Sequence, residues 1–453
     1  MGEFLTEFLE ALDRRMNELK EAFLKTDRES SSLVAEWFRR RWMNDLPPEV
    51  QPSKVVAVDA SMEMKQYATG INLIYARAIS LLFDSKAHGQ VISRQFDIYP
   101  HAGAHEEARN LTSRIAENLE HQVALQAIGE GEPGILLLDG TLSTRHIASI
   151  FNFRRHGWFS VEYVRTYSRL LNEARAKGWT LVAVAKSSRS IPMRDLALRE
   201  IFASLIRRVP LDEARKGRLV EAWKNAVSDP DEGVRMALDL AEKMPDYRED
   251  LKALAQLFYE RHLYIADSDV IRRYVRGVGR TPAILVGAYT QSAQKMLREL
   301  KTRKYEVARE VASSELARRR LAGQIGEDLF GEAYQAVEEA LNLPAYVTLY
   351  VRLKEGDDPL KLEFPCWEVG KEVIWSSSPY EDLLEDSDEV GRILGVVRAG
   401  YGGPNFHNVW LERVDRKVKL RRGTVESLYE RYLWRRLGEV VLHARGERRV
   451  TRL

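Results

Sequence analysis

The sequence has a single cysteine, Cys366, among its 453 residues. One thiol excludes an internal disulfide and a cysteine-based zinc site, and such scarcity fits a reducing cytosol. No apolar run approaches the roughly 18 residues that a transmembrane helix needs. The N-terminus also lacks the charged-then-apolar pattern of a signal peptide. We therefore expect a cytoplasmic protein that does not enter a membrane.

The signatures of several enzyme classes are missing too. There is no phosphate-binding P-loop, no glycine-rich dinucleotide fingerprint after the first predicted strand and no G-x-S-x-G nucleophile elbow. Lys and Arg number 69 against 67 Asp and Glu, so the net charge of +2 gives no pointer to nucleic acid. The charged fraction of 30%, together with so little cysteine, is typical of a thermophile.

Two apolar stretches that run into aspartate are the most informative feature present. Residues 55–58 are Val-Val-Ala-Val and precede Asp59, and residues 135–138 are Ile-Leu-Leu-Leu and precede Asp139. Unbroken apolar runs of this length predict strands buried on both faces of a sheet. Two such strands would bring both carboxylates to one sheet edge, as two-metal phosphoryl-transfer chemistry requires. The alternative is that each Asp caps a turn after its strand.

The segments around these strands predict a mixed α/β fold. Strands at 71–83 and 91–99 would form an antiparallel meander with the first strand. Helices at 105–128 and 161–177 would flank the second strand and a third at 180–184. Further predicted strands are 283–289, 346–353, 360–364, 393–399 and 440–443, and a C-terminal helix covers about 424–437.

Four segments make up the predicted organisation. They are an N-terminal helical arm at 1–50, the first part of the core at 51–190, a charged helical insertion at 191–262, and the rest of the core with basic helices at 263–453. The predicted fold class is thus a mixed sheet flanked by helices, with an arm and an insertion. The apolar stripe of the arm must be covered by the core or by another subunit.

A two-metal site needs three or four converging carboxylates, and the helix at 105–128 offers three glutamates. At about 100° per residue, Glu107 lies beside the apolar stripe, Glu117 lies at its other border and Glu120 points nearly opposite Leu111. Spacing alone therefore slightly favours Glu107 and disfavours Glu120. Each glutamate is otherwise an ordinary exposed helix residue.

Five further residues are candidates for the chemistry. Asp267 and Asp269 offer a fourth carboxylate, or else cap a helix. Lys186 follows an apolar strand and would hold a phosphate or stabilise developing charge, or is an ordinary edge lysine. Tyr401 and His407 lie in a Gly- and Pro-rich loop. His407 would bind metal, transfer a proton or hold a phosphate, or is an ordinary surface histidine.

Two kinds of segment are candidates for binding a single nucleic-acid strand. Phe153, Arg154 and Arg155 belong to an aromatic and basic segment that suits stacking on unpaired bases, or core packing with arginine at the rim. Basic clusters at 301–304 and 318–320 would guide a strand inward, or simply form solvated helix faces.

Five motifs occur in the order typical of one family. They are Val-Asp-Ala-Ser at 58–61, Arg-Ile-Ala-Glu at 114–117, Leu-Leu-Leu-Asp-Gly-Thr-Leu at 136–142, Lys-Ser at 186–187, and the loop at 401–407. In this order they resemble the NurA nucleases over about residues 50–415. The resemblance implies an RNase H-like core and a manganese-dependent DNA exonuclease working from the 5′ end, with endonuclease action on single strands. It also implies a homodimer that docks on the hexameric HerA helicase-translocase during double-strand-break end resection.

Carried over by position, the resemblance makes Asp59 and Asp139 metal ligands, and its Arg-x-x-Glu pattern adds Glu117. We therefore predict a nuclease in which these three carboxylates hold two Mn²⁺ ions, with Mg²⁺ as an alternative. Lys186 and His407 would assist the chemistry. Two alternatives are a non-catalytic DNA-binding or clamp subunit, and a ribonuclease or strand-transfer enzyme on the same fold.

Overall fold

The computed structural model describes residues 5–24, 32–67, 70–129, 132–151, 153, 156–186, 188–321, 328–377, 381–385, 387–404 and 406–437. The chain divides into two compact units, residues 1–42 with 188–276 and residues 43–187 with 277–453. Every described strand belongs to the second unit. No helix in these ranges is long and apolar enough to cross a lipid bilayer.

The second unit is built on one mixed sheet. Its strands are β1 (Lys54–Gln66), β2 (Asn72–Asp84), β3 (His88–His101), β4 (Ile135–Asp139), β5 (Thr180–Ala185), β6 (Gly279–Arg280), β7 (Ile284–Val286), β8 (Tyr346–Arg352), β9 (Leu360–Pro365) and β10 (Glu381–Leu383). The spatial order is β10-β7-β8-β9-β5-β4-β1-β2-β3, with β6 paired to β8. β1, β2 and β3 form an antiparallel meander, and β4 and β5 run parallel to β1. The mixed α/β sheet predicted from the sequence is confirmed.

Helices supply the rest of both units. They are α1 (Leu5–Leu24), α2 (Ser32–Arg41), α3 (His105–Gly129), α4 (Leu142–Phe151), α5 (Trp158–Ala176), α6 (Pro192–Arg208), α7 (Glu213–Asn225), α8 (Asp231–Lys243), α9 (Arg248–His262), α10 (Asp267–Tyr274), α11 (Gln291–Thr302), α12 (Lys304–Leu321), α13 (Leu329–Leu341), α14 (Asp388–Ala399), α15 (Val409–Val418), α16 (Arg422–Thr424) and α17 (Glu430–Leu437). Short 3₁₀ turns cover Pro245–Tyr247 and Cys366–Val369, and a π-helical turn covers Val425–Tyr429.

The central strands are buried on both faces, as their unbroken apolar sequences predict. On one side, Ala57 of β1 and Leu137 of β4 share a buried cluster with Leu411 of α15. Val56 and Val58, which alternate to the other side of β1, are also fully buried. α3 packs on β1 and β2. A polar residue at the end of these strands is therefore enclosed by helices.

The first unit is helical, and its two N-terminal helices differ. Trp37 of α2 is buried, and its Nε1 donates a hydrogen bond to Glu200 of α6 (2.8 Å). In α1, by contrast, Leu5, Phe8 and Leu9 are 56%, 59% and 48% exposed. Within the described residues, the apolar stripe of α1 is thus open to solvent.

One predicted strand is a helix. Residues 393–399 belong to α14, whose N-terminus is capped by the side chain of Ser387. Ile393 and Val397 are buried at helical spacing, so the run is the core face of an amphipathic helix. The prediction was wrong because an apolar run of this length fits a buried strand and a buried helix equally well. The strand predicted at 440–443 lies outside the described residues.

Candidate active site

The two aspartates singled out in the sequence follow the last residue pair of the parallel β1–β4 ladder. Val58 of β1 lies opposite Leu138 of β4, so Asp59 and Asp139 come next on adjacent strands. β4 ends there, whereas β1 continues to Gln66 because β2 pairs along its whole length. Asp59 therefore lies within β1. The sequence had suggested instead that it lies at or near the end of its strand. Neighbouring strands are about 4.8 Å apart, which brings the two carboxylates together.

A glycine turn separates Asp139 from the helix that follows. Gly140 has a φ of 98°, a left-handed conformation that glycine adopts without steric cost. Its N–H donates to the carbonyl of Val184 on β5 (3.0 Å). The turn ends β4 at Asp139 and allows α4 to begin at Leu142.

The aspartates occupy an acidic and poorly hydrated environment. Asp59 is 7% exposed, and burial raises its pKa to about 9, with further contributions from the charges of Glu120 and Asp139. The Ala60 N–H, which donates to the Asp59 carboxylate (2.7 Å), opposes this rise. Burial also raises the pKa of Asp139, against the effect of Lys186. Enclosed carboxylates that repel one another are the usual setting for a bound cation.

Glu120 of α3 is the third carboxylate at this edge. Spacing had disfavoured it, and the alternative of an exposed helix residue does not hold, because α3 packs against α5 as well as against β1 and β2 and leaves Glu120 only 7% exposed. Its Oε2 accepts a hydrogen bond from Arg145 of α4 (2.7 Å). Arg145 also donates to the Asp139 carbonyl (3.0 Å) and contacts His121 Nε2 (2.8 Å). Burial raises the pKa of Glu120 to about 7, although Arg145 opposes the rise.

The other two glutamates of α3 have different surroundings. The Glu117 carboxylate accepts hydrogen bonds from Arg114 (2.6 Å) and from the Tyr163 hydroxyl (2.8 Å). The charge of Glu117 raises the pKa of Glu120, but Glu117 is not among the main influences on the pKa of Asp59. The Glu107 side chain is 67% exposed. Among these glutamates, Glu120 is therefore the one whose charge acts on the pKa of Asp59, whereas Glu107 is exposed.

A fourth carboxylate, Asp415 of α15, was missed by the sequence reasoning. Its charge raises the pKa of both Asp59 and Asp139, and α15 packs on β1 and β4. The missed signal is helical: the side chain of Asn408 caps α15, and Leu411 begins its buried stripe. Asp415 is half-buried beside that stripe.

The predicted Lys186, Tyr401 and His407 line one cavity of about 450 Å³. His407 is 7% exposed, and its Nε2 has no hydrogen-bond partner among the described residues. Burial and the charge of Lys186 lower the pKa of His407 to about 4, so the imidazole is neutral at pH 7. The Tyr401 hydroxyl donates to Asp357 on the cavity wall. Because Lys186 also influences Asp139, the cavity and the carboxylates are electrostatically linked.

The predicted aromatic contact with DNA is not supported at Phe153. This side chain is only 4% exposed, so its ring has no open face for a base, and the core-packing alternative accounts for it. Arg154 and Arg155 lie outside the described residues.

The predicted basic clusters are engaged within the protein. Lys304 pairs with Glu338 of α13. Arg318 and Arg319 both pair with the buried Glu315, at 2.6 Å and 2.9 Å. The solvated-face alternative therefore describes these cations better than a track for DNA.

Asp267 and Asp269 belong to the first unit. The fully buried Asp267 carboxylate accepts the backbone N–H groups of Met193 (3.0 Å) and Arg194 (2.8 Å) at the start of α6. Asp269 pairs with Arg272 (3.0 Å). Both carboxylates thus have partners that account for them structurally.

The residues at the sheet edge fit a hard divalent cation. Their donors are carboxylate oxygens, the ligands that Mg²⁺ and Mn²⁺ prefer. Arg145 engages one oxygen of Glu120, which leaves Oε1 for another partner. Across the described chain, no three His, Cys, Asp or Glu side chains are already arranged as a metal site.

Fold and site together define an α/β protein with two aspartates on adjacent strands where a parallel strand ends. Residues 53–420 match the family model described as the NurA domain. The chain therefore belongs to the NurA family, and the resemblance seen in its motifs is confirmed.

One solved structure supports this fold. The crystal structure of the NurA nuclease from Sulfolobus solfataricus is similar over 96% of this chain and 99% of its own, with a TM-score of 0.52 and 13% identity. A crystal structure of NurA with manganese is similar over 92% of this chain and 96% of its own, with a TM-score of 0.42 and 12% identity. No curated protein matches the chain. Family and fold together support a nuclease.

Proposed function

We propose that this protein is a deoxyribonuclease that hydrolyses phosphodiester bonds with divalent metal ions, manganese above all. The observation that carries the proposal is the parallel register of β1 and β4, which puts Asp59 and Asp139 on adjacent strands where β4 ends. Glu120 and Asp415 add acidic groups from two helices. This arrangement gives a phosphodiester-bound cation pair the oxygen donors it needs.

In the proposed site, Asp59, Asp139 and Glu120 would hold the ions, and Asp415 would add negative charge from α15. Two bound cations would activate water and stabilise the leaving 3′ oxygen. Arg145 fixes Glu120 and the main chain of Asp139 in one network, so the two ligands keep their separation. Asp59, whose pKa is raised, would have to be deprotonated to serve as a metal ligand.

We favour Glu120 over the Glu117 of the family pattern. Glu117 is held by Arg114 and Tyr163, whereas Glu120 is the carboxylate that most influences Asp59. In this proposal Glu117 acts indirectly, since its hydrogen bonds fix the same face of α3.

The cavity residues have supporting roles. Lys186, exposed after the end of β5, would neutralise charge that develops on the phosphate. His407, neutral at pH 7, has a free Nε2 among the described residues and would accept or relay a proton. Tyr401 would contact the DNA at the cavity wall.

The finer features are proposed from the family resemblance. They are exonuclease action from 5′ to 3′ on single- and double-stranded DNA, endonuclease action on single strands, and DNA end resection with a HerA-type hexameric ATPase in the cytoplasm. We also propose a homodimer, for which the exposed apolar residues Leu5, Phe8 and Leu9 of α1 are the contact surface.

The proposal is tested with end-labelled DNA and RNA, each with and without Mn²⁺. We expect DNA degradation only with Mn²⁺, and at least about a 100-fold loss in Asp139→Asn because charge stabilisation worth several kcal/mol disappears. An Asp139→Asn protein that degrades DNA at the normal rate would reject the site. Degradation of RNA alone would favour a ribonuclease, and DNA binding without any product would favour a clamp subunit.

The same assay separates the two glutamates of α3. Glu120→Gln should lose at least about 100-fold in rate, as expected for a metal ligand. Glu117→Gln, the matched control on the same helix, should lose less. The reverse order would restore Glu117 as the third ligand.

A further inference from the structure

We propose that the segment directly after α15 binds the phosphate backbone of the DNA strand at the site, through Lys419 and Arg421. The inference rests on the proposed function, because it supplies that function with a binding track. It assigns this role to a segment that the sequence reasoning had not considered.

The backbone of this segment is fixed across β1. The Leu420 N–H donates to the hydroxyl of Ser61 (2.7 Å), two residues beyond the β1 aspartate. Arg77, which lies opposite Ser61 on β2, donates to the carbonyls of Val418 and Lys419 (both 2.7 Å). Residues two apart on a strand share a face, so the segment lies beside the carboxylate cluster.

The cationic side chains of this segment are available. Leu420 is 6% exposed and anchors the segment in a small apolar cluster. Lys419 and Arg421 on either side of it are exposed, and within the described residues neither side chain has a hydrogen bond or ion pair. Arg422, next in the chain, instead pairs with Glu426 (3.0 Å). Residues two apart on extended chain are about 6.6 Å apart, a separation that suits successive phosphates of one strand.

A phosphate backbone is the partner that the electrostatics favour. The net charge of only +2 gives an approaching strand little general attraction. Local cations beside the site must therefore hold it. Most of the described basic side chains at 301–304 and 318–320 already form ion pairs within the protein, so they are less available to a DNA strand.

Binding of a fluorescent single-stranded DNA, measured by anisotropy in EDTA over a salt series, tests the inference without hydrolysis. The slope of log K against log salt is negative, and each phosphate contact contributes about 0.7 to its magnitude for a single strand. For Lys419→Ala/Arg421→Ala, which removes two contacts, we expect this magnitude to decrease by about 1.4. At about 0.1 M salt this is roughly a 25-fold weaker affinity. Lys419→Gln/Arg421→Gln should behave alike, and thermal midpoints check that both variants fold.

The matched control is Lys295→Ala/Arg298→Ala on α11. It removes the same two residue types, both exposed and without an ion pair among the described residues, from a basic helix elsewhere in the second unit. We expect the wild-type slope there. An unchanged slope in the Lys419/Arg421 variants, or an equal fall in the control, would overturn the inference.

The outcome is distinguishable from failure of the proposed function. A wild-type protein that binds DNA through this segment but yields no product with Mn²⁺ would refute the nuclease alone. A wild-type protein that degrades DNA, but whose DNA affinity is unchanged by the Lys419 and Arg421 substitutions, would refute the binding track alone.

Discussion

At the scale of single residues, the site depends on charges held out of water. Asp59 and Asp139 were predictable because an apolar run that meets an aspartate is visible in the sequence. Glu120 was not, because counting one apolar stripe assumes that the rest of the helix faces solvent, and α3 is covered on several sides. Arg145 was also invisible, since a lone helical arginine usually lies at the surface.

Arg145 should contribute both to the stability of the fold and to the affinity for Mn²⁺. Arg145→Met leaves Glu120 buried without its cation, which costs about 3–5 kcal/mol of unfolding free energy. It should also weaken Mn²⁺ affinity by about 10- to 100-fold, the usual effect of removing a group that orients a ligand. Urea unfolding and Mn²⁺ titration measure the two effects.

Arg194→Met is the control for this prediction. Arg194 is equally buried, 3.5 Å from Glu260 in the first unit, so its loss should destabilise that unit and leave Mn²⁺ affinity unchanged. Equal Mn²⁺ affinities in the Arg145 and Arg194 variants would contradict a positioning role for Arg145.

The metal-free protein should become less stable as the pH rises. The pKa of Asp59 is about 9 in the folded chain against an ordinary 3.8, so the folded state retains a proton that the unfolded state releases between these values. The unfolding free energy should fall through this window, by at most about 1.4 kcal/mol per pH unit. Urea unfolding in EDTA at about pH 5, 7 and 8.5 measures it, and Asp59→Asn should flatten the fall. Equal slopes in the two proteins would be inconsistent with the environment of Asp59.

At the scale of elements, the order of strands and helices in the core was predictable from alternation and apolar runs. The errors fall on α14 and α15. A short apolar run at 393–399 carries no period that separates strand from helix, and the helix that presents Asp415 is marked mainly by its cap. Which helices cross the sheet beside the aspartates depends on long-range packing, which local sequence does not encode.

The cap of α15 should matter for both stability and metal binding. The Asn408 side chain accepts the N–H groups of Trp410 and Leu411 (both 3.1 Å). Asn408→Ala should cost about 1 kcal/mol of unfolding free energy and weaken Mn²⁺ binding, whereas Asn408→Ser should largely retain both. Urea unfolding and Mn²⁺ titration provide the readouts. A normal Mn²⁺ affinity in a destabilised Asn408→Ala protein would separate α15 from the metal site.

At the scale of the whole molecule, the chain forms two compact units, one of them helical and one built on the sheet. The sequence indicated a helical arm and a helical insertion but not that residues 1–42 and 188–276 form one unit, because a contact between distant segments leaves no local signal. The acidic site lies wholly in the second unit. In the proposed homodimer, the open apolar stripe of α1 is the surface that a second copy would cover.

Removing residues 1–24 should therefore convert a dimer into a monomer. Light scattering after size exclusion should give about twice 52.0 kDa for the full chain and a single subunit mass for the deletion. Leu5→Glu/Phe8→Glu should weaken the dimer in the same direction, since it places charge on the apolar stripe. A full-length chain that is already monomeric, or a deletion that remains dimeric, would remove α1 from the interface.

The most direct test of the acidic site is a count of bound Mn²⁺ by electron paramagnetic resonance, in which free Mn²⁺ is quantified as it is added to the metal-free protein. We expect the wild type to bind two ions per chain, and Asp59→Asn to bind fewer ions or to bind them with much lower affinity. A wild-type chain that takes up no Mn²⁺, or an Asp59→Asn chain that binds it as well as the wild type, would contradict a metal site built on Asp59 and Asp139.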